Sequence, residues 1–154
     1  MRKIALSLLP VLVISLFACA QKKISYVKMN RTACFGRCPV YSVEIYPTGL
    51  VRYSGQYFTD HQGVYETNIG KTKAQNLMKQ FEKYRVDTCK NQYESRIADL
   101  PGIVFNIKYG KTNKRINNAH FGPDFLRTLA ANVDSLSQVN SHWKKTADTA
   151  IMKY

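Results

Sequence analysis

Hydrophobic and polar positions alternate with a period of two over much of the chain. Tyr41, Val43 and Ile45 fall on one side of Ser42 and Glu44, Val51, Tyr53 and Tyr57 share a side of the next segment, and Ile103, Phe105, Ile107 and Tyr109 alternate with Asn106 and Lys108. Successive side chains of a strand point to opposite faces, so each of these segments reads as a half-buried strand. Ile24 to Arg31 alternates more loosely and reads as an edge strand, a short strand runs through Tyr65, Thr67 and Ile69, and another ends at Ile116. Pro47-Thr48-Gly49 and Gly110 to Lys114 supply turns, and Gly55 marks a bulge. Two stretches keep the helical period instead: Ala74, Leu77, Met78, Phe81 and Tyr84, then Phe125, Leu126, Leu129, Val133 and Leu136. Thr72 and Gln75 have the spacing of a capping box, and Pro123 suits the first turn of a second helix running to about Val139. The order, roughly β-β-β-β-α-β-β-α, predicts an α+β fold: an antiparallel sheet of four to six strands with two helices packed on one face.

The first residues break this pattern. Arg2 and Lys3 precede an apolar segment from Ile4 to Phe17, followed by Ala18 and Cys19. A charged start, an apolar stretch of about 7–15 residues and a small residue before the cut are the parts of a secretory signal. The stretch is shorter than the roughly 20 residues a membrane-spanning helix needs, and Ser7, Pro10 and Ser15 interrupt it. Leu16-Phe17-Ala18-Cys19 resembles the lipobox of bacterial lipoproteins, whose cysteine is acylated and becomes the new N-terminus. The resemblance implies removal of residues 1–18 and lipidation of Cys19, with the acyl chains binding the bilayer. It also implies a place in the bacterial envelope, and the absence of acidic residues just after Cys19 implies, by resemblance to lipoprotein sorting, the outer membrane facing the periplasm. Ordinary cleavage that leaves a soluble protein with a free Cys19 is the alternative. Residues 19–23 then form a short tether, 24–143 a single domain, and 144–154 a polar C-terminal tail.

Export changes how charge and cysteine are read. Lys and Arg number 23 against 10 Asp and Glu, a net charge of +13. Loss of Arg2 and Lys3 with the signal leaves the chain strongly basic. A basic excess raises the question of nucleic acid, yet an exported protein meets none in its normal work. The polyanions in reach are lipid head groups and cell-wall polymers, so the expected partner is an anionic glycan, lipid or acidic protein. Of the four cysteines, Cys34, Cys38 and Cys89 remain once Cys19 carries lipid, so at most one bridge forms within the chain. Cys34 and Cys38, four apart with Gly36 between them to let the loop curl, are the expected pair. Pairing of one of them with Cys89, or reduced thiols that react or bind metal, are the other arrangements. The role of Cys89 stays open.

The cluster Cys34-Phe35-Gly36-Arg37-Cys38-Pro39-Val40-Tyr41-Ser42 leads straight into a strand and is followed by a Gly-bearing hairpin, a helix, Asp99-Leu100-Pro101 and a last helix. This layout resembles an uncharacterised domain family of exported bacterial lipoproteins with a Cys-aromatic-Gly-x-Cys-Pro-x-Tyr-Ser/Thr motif. The resemblance covers roughly residues 26–140. It implies a fold and a compartment, and carries no activity and no catalytic residue.

Other chemistry is sparse. The chain lacks a Gly-x-Ser-x-Gly elbow, a His-Glu-x-x-His pair, a phosphate-binding glycine loop and a calcium loop. Cys-x-x-x-Cys-Pro is also the spacing in thioredoxin-like copper chaperones, and His120 follows at a distance comparable to their histidine. Two thiolates and an imidazole suit Cu(I) by ligand softness, although a reactive thiol is more often placed at a helix N-terminus than before a strand. Tyr109, beside Lys111, Lys114 and Arg115, offers a candidate binding surface. The expected function is a membrane-anchored, non-catalytic binding or envelope-maintenance module without cofactor. A copper-binding or thiol-disulfide protein using Cys34 and Cys38 is the alternative.

Overall fold

The computed structural model describes residues 23–95, 97 and 100–148. The basic start, the apolar segment, Cys19 and Asp99 lie outside the described residues. Seven strands and two helices follow in the order β1 (Ile24–Arg31), β2 (Val40–Ile45), β3 (Leu50–Tyr57), β4 (Gly63–Asn68), α1 (Lys71–Lys83), β5 (Ile103–Tyr109), β6 (Thr112–Ile116), α2 (Asp124–Leu136) and β7 (Lys144–Ala147). The strands form one antiparallel sheet ordered β6-β5-β1-β2-β3-β4-β7. The class is the α+β one that alternation predicts; the strand count and order are not. The additional strand is β7, Lys-Lys-Thr-Ala, in the stretch expected to be a tail. All four of its residues are exposed, so it buries nothing that a hydrophobic pattern would register, and its place comes from pairing with the free edge of β4.

β1 is not an edge strand. It pairs with β2 on one side and β5 on the other, and its looser alternation reflects a register shift between Ile24 and Tyr26. The core lies between one face of the sheet and the helices. Val27 and Met29 of β1, Val43 and Ile45 of β2, Val51 and Tyr53 of β3 and Ile103, Phe105 and Ile107 of β5 supply the sheet side. Ala74, Leu77, Met78 and Phe81 of α1 and Leu126, Leu129, Ala130 and Val133 of α2 cover them. Phe81 meets Phe105 edge to face at 5.4 Å. The helices are joined by the Asn132 amide donating to Gln80 Oε1 at 2.8 Å.

Turn chemistry sets the hairpins. Gly49 has φ 99°, and a Cβ there would lie 2.6 Å from both the Asn68 side chain and the Gly70 carbonyl carbon, so this corner accepts only glycine. α1 begins at Lys71 behind Gly70, with no side-chain cap. Thr72 therefore already stands inside the first turn, and the expected capping box does not form; Asn68 Oδ1 instead accepts the Gly70 N–H at 2.8 Å. α2 has Pro123 at its N-cap and Asp124 in its first turn, where a carboxylate suits the exposed N–H groups, and it ends at Leu136 rather than near Val139.

One core group is ill matched. The Tyr109 hydroxyl is buried and has no hydrogen-bond partner among the described residues. Burial, with Asp87, Cys89 and Glu82 nearby, pushes its phenol above the ordinary tyrosine range. Removing an unsatisfied buried hydroxyl relieves a desolvation cost. Tyr109→Phe is thus expected to raise stability by about 1 kcal/mol, read from urea unfolding midpoints. A loss of stability would mean the hydroxyl is bonded.

Candidate functional site

The face of the sheet away from the helices is open and polar. One row of directly paired residues crosses all seven strands: Arg115, Asn106, Lys28, Glu44, Arg52, Glu66 and Lys144. Its middle is an alternating charge ladder, with Lys28 Nζ 2.9 Å from Glu44 Oε1, Arg52 Nη1 3.4 Å from Glu44 Oε2 and Arg52 Nε 2.7 Å from Glu66 Oε1. Opposite charges directly across neighbouring strands stabilise a sheet modestly. Partial burial works to raise the Glu44 pKa, but Lys28, the Tyr46 hydroxyl and Arg52 outweigh it and hold the carboxyl below its ordinary value.

The next row towards the ends of β1 and β3 is Val104, Asn30, Ser42, Ser54 and Val64, small and uncharged. Beside the charged row it leaves a groove of about 530 Å³. Asn30, Ser42 and Val104 floor it, and Lys28 and Arg115 stand along one side. Tyr57 closes another side because a register shift pairs Val40 with Tyr57 and Tyr41 with Gly55, leaving Gln56 as an extra residue that re-aims its neighbour. No Asp or Glu lines the groove. Lys28 is paired with Glu44, whereas Arg115 has no carboxylate partner among the described residues and only donates from Nε to Asn117 Oδ1 at 2.9 Å.

The groove's upper wall is the loop between β1 and β2. Thr32 anchors it by exchanging hydrogen bonds with Gly102, N to O at 3.1 Å and Oγ1 accepting from the Gly102 N–H at 2.8 Å. Cys34 and Cys38 lie at disulfide distance, Cα to Cα 5.7 Å, as their spacing and Gly36 lead one to expect. The small ring holds Phe35 outward at 92% exposure. At the loop's base Arg31 is ion-paired with Asp134 of α2, whose other oxygen accepts the Tyr41 hydroxyl at 2.6 Å. Burial opposes the Arg31 charge, but Asp134 outweighs it and raises its pKa. Burial and then Asp134 push the Tyr41 phenol well up.

The other expected site residues do not come together. Tyr109 is 6% exposed, on the core side with Ile103 and Phe105, so it forms no surface. Lys114 and Arg115 are adjacent in β6 and so point to opposite faces. Lys114 Nζ turns under the sheet to the Cys89 carbonyl and to Asn91 Oδ1, and Lys111 is exposed in the hairpin turn. Only Arg115 belongs to the groove. His120 sits in a short turn with its carbonyl accepting from Arg127 at 2.9 Å, and among the described residues no three His, Cys, Asp or Glu gather as a metal site. Cys89 is half-buried against the core and bonded to no other cysteine among the described residues. Ser42, the last residue of the cysteine motif, joins the groove, whereas Lys28 and Asn30 are groove residues that motif reading misses; their signal is weak, being only the polar positions of an alternating strand.

A family model described as a domain of unknown function, DUF6438, matches residues 25–137. No curated protein matches the chain.

Proposed function

The chain belongs to the DUF6438 family, a domain of unknown function, and from that premise we propose that it is an exported, lipid-anchored, non-catalytic module that binds an anionic envelope glycan in the open-face groove. The observation that carries this reading is the groove's composition: Asn30 and Ser42 on its floor to hydrogen-bond hydroxyls, the Tyr57 ring at its side, Arg115 with no carboxylate partner, and no acidic lining residue. A guanidinium in that setting favours a carboxylate or phosphate. The strong net positive charge that remains after loss of Arg2 and Lys3 adds a salt-sensitive attraction for polyanions. Anchorage rests on the lipobox-like Leu16 to Cys19, and the absence of acidic residues in Ala20 to Lys23 supports, by resemblance to lipoprotein sorting, an outer-membrane position facing the periplasm.

The test uses the full chain from membranes. Cys19→Ser is expected to shift the protein from the membrane to the soluble fraction. Wild type should bind an oligogalacturonate in a salt-sensitive manner and ignore a neutral oligosaccharide of equal length. Arg115→Glu should weaken binding on the order of tenfold. Equal affinity for the neutral sugar, or an unaffected Arg115→Glu protein, overturns the groove; a Cys19→Ser protein that stays membrane-bound overturns the anchor.

A further inference from the structure

A second cleft opens on the helix side of the sheet, at the same end as the groove and of opposite polarity. About 480 Å³ in volume, it lies between the loop Phe58 to Gln62 and the end of α2. Tyr41, Tyr53 and Phe58 give it aromatic walls, Asp60 and Asp134 give it carboxylates, and no Lys or Arg lines it. In a chain carrying 23 basic residues that absence sets the cleft apart.

The rings are built rather than incidental. Tyr41 and Tyr53 pack with centroids 5.4 Å apart, and Tyr65 continues the run at 6.5 Å from Tyr53. Phe58 is held at φ 53°, a conformation that bulky side chains adopt rarely and at a cost, and it is 54% exposed at the cleft's mouth. The loop behind it folds back tightly: a Cβ on Gly55 would overlap the His61 carbonyl oxygen. The two carboxylates differ. Asp134 is already neutralised by Arg31, whereas Asp60 makes no ion pair among the described residues and stands near the Tyr53 phenol, which burial and then that charge push up. Of the basic side chains nearby, Arg31 is held by Asp134 and His61, which lines the cleft, turns its ring edge-on to Tyr65; aromatic faces beside a carboxylate with no ion-pair partner are the elements that recognise an organic ammonium group. The chain's overall positive charge works against such a ligand, but beyond about 8 Å it is screened at physiological ionic strength, and Asp60 is local.

We infer that this cleft is a second binding site, independent of the glycan groove, for a ligand bearing an alkylammonium group. Its reporter is built in: Trp143, the only tryptophan of the chain, meets Tyr53 edge-on at 6.5 Å. Choline and its uncharged isostere 3,3-dimethylbutan-1-ol are titrated into the full-length protein at physiological salt, followed by Trp143 fluorescence and calorimetry. Saturable choline binding is expected, with the isostere weaker by about two- to fivefold or more. Asp60→Asn, on the surface, should weaken choline by a similar factor. Phe58→Asn should do so too while keeping or raising the melting temperature, because asparagine tolerates that backbone. Choline and isostere binding alike, an unchanged Asp60→Asn protein, or no saturation overturns the inference; oligogalacturonate binding by the same samples reports separately on the groove.

Discussion

Phe81→Ala is expected to cost about 3–5 kcal/mol, because a fully buried ring is lost and a cavity is left that its neighbours fill only in part. The ring stands where α1 packs on β5 and is edge-on to Phe105, a contact worth more than its area alone. A domain of this size is stable by only about 5–15 kcal/mol in all, so the variant should lose a large share of its folded population on mild warming. Urea titration checks it: the midpoint should fall with an unchanged slope. A loss below about 1 kcal/mol would mean that α1 does not seal the core at this point.

The second large effect is expected from a single methyl group. Gly55→Ala puts a Cβ onto the His61 carbonyl oxygen and within 2.9 Å of the Tyr53 ring. The obstacle is backbone, which cannot turn aside as a side chain can. Overpacking of this kind costs about 1–3 kcal/mol, and the loop from Phe58 to Gln62 must lift to absorb it. Changed Trp143 fluorescence should accompany the lower urea midpoint, since Tyr53 lies between that tryptophan and the loop. A variant as stable as wild type would show that the loop does not press on β3.

How far the chain could be read without coordinates depends on how local each signal is. The alternation from Ile103 to Tyr109 and the stripe from Ala74 to Phe81 give their elements directly, because burial of one face leaves a period in the sequence. The same alternation, followed strictly, already places Tyr109 inward with Phe105; its lysine and arginine neighbours obscured that. Lys114 and Arg115 look like one basic patch only until they are set on a strand. The closeness of Cys34 and Cys38 follows from their being four residues apart, whereas Arg31 and Asp134 are 103 residues apart and nothing in either neighbourhood announces the other. β7 was illegible for a simpler reason: four exposed residues carry no hydrophobic pattern, and their structure comes from the partner strand. The groove follows from small residues lying side by side on strands whose register no linear pattern gives.

The direction of β1 has a geometric consequence. The strand runs from Ile24 beside Lys23 to Arg31, roughly 23 Å at about 3.3 Å per residue, and both clefts and the Phe35 ring lie at its far end. Any attachment made through Lys23 holds the domain by its foot, so both clefts open at the end of β1 opposite the point that carries it.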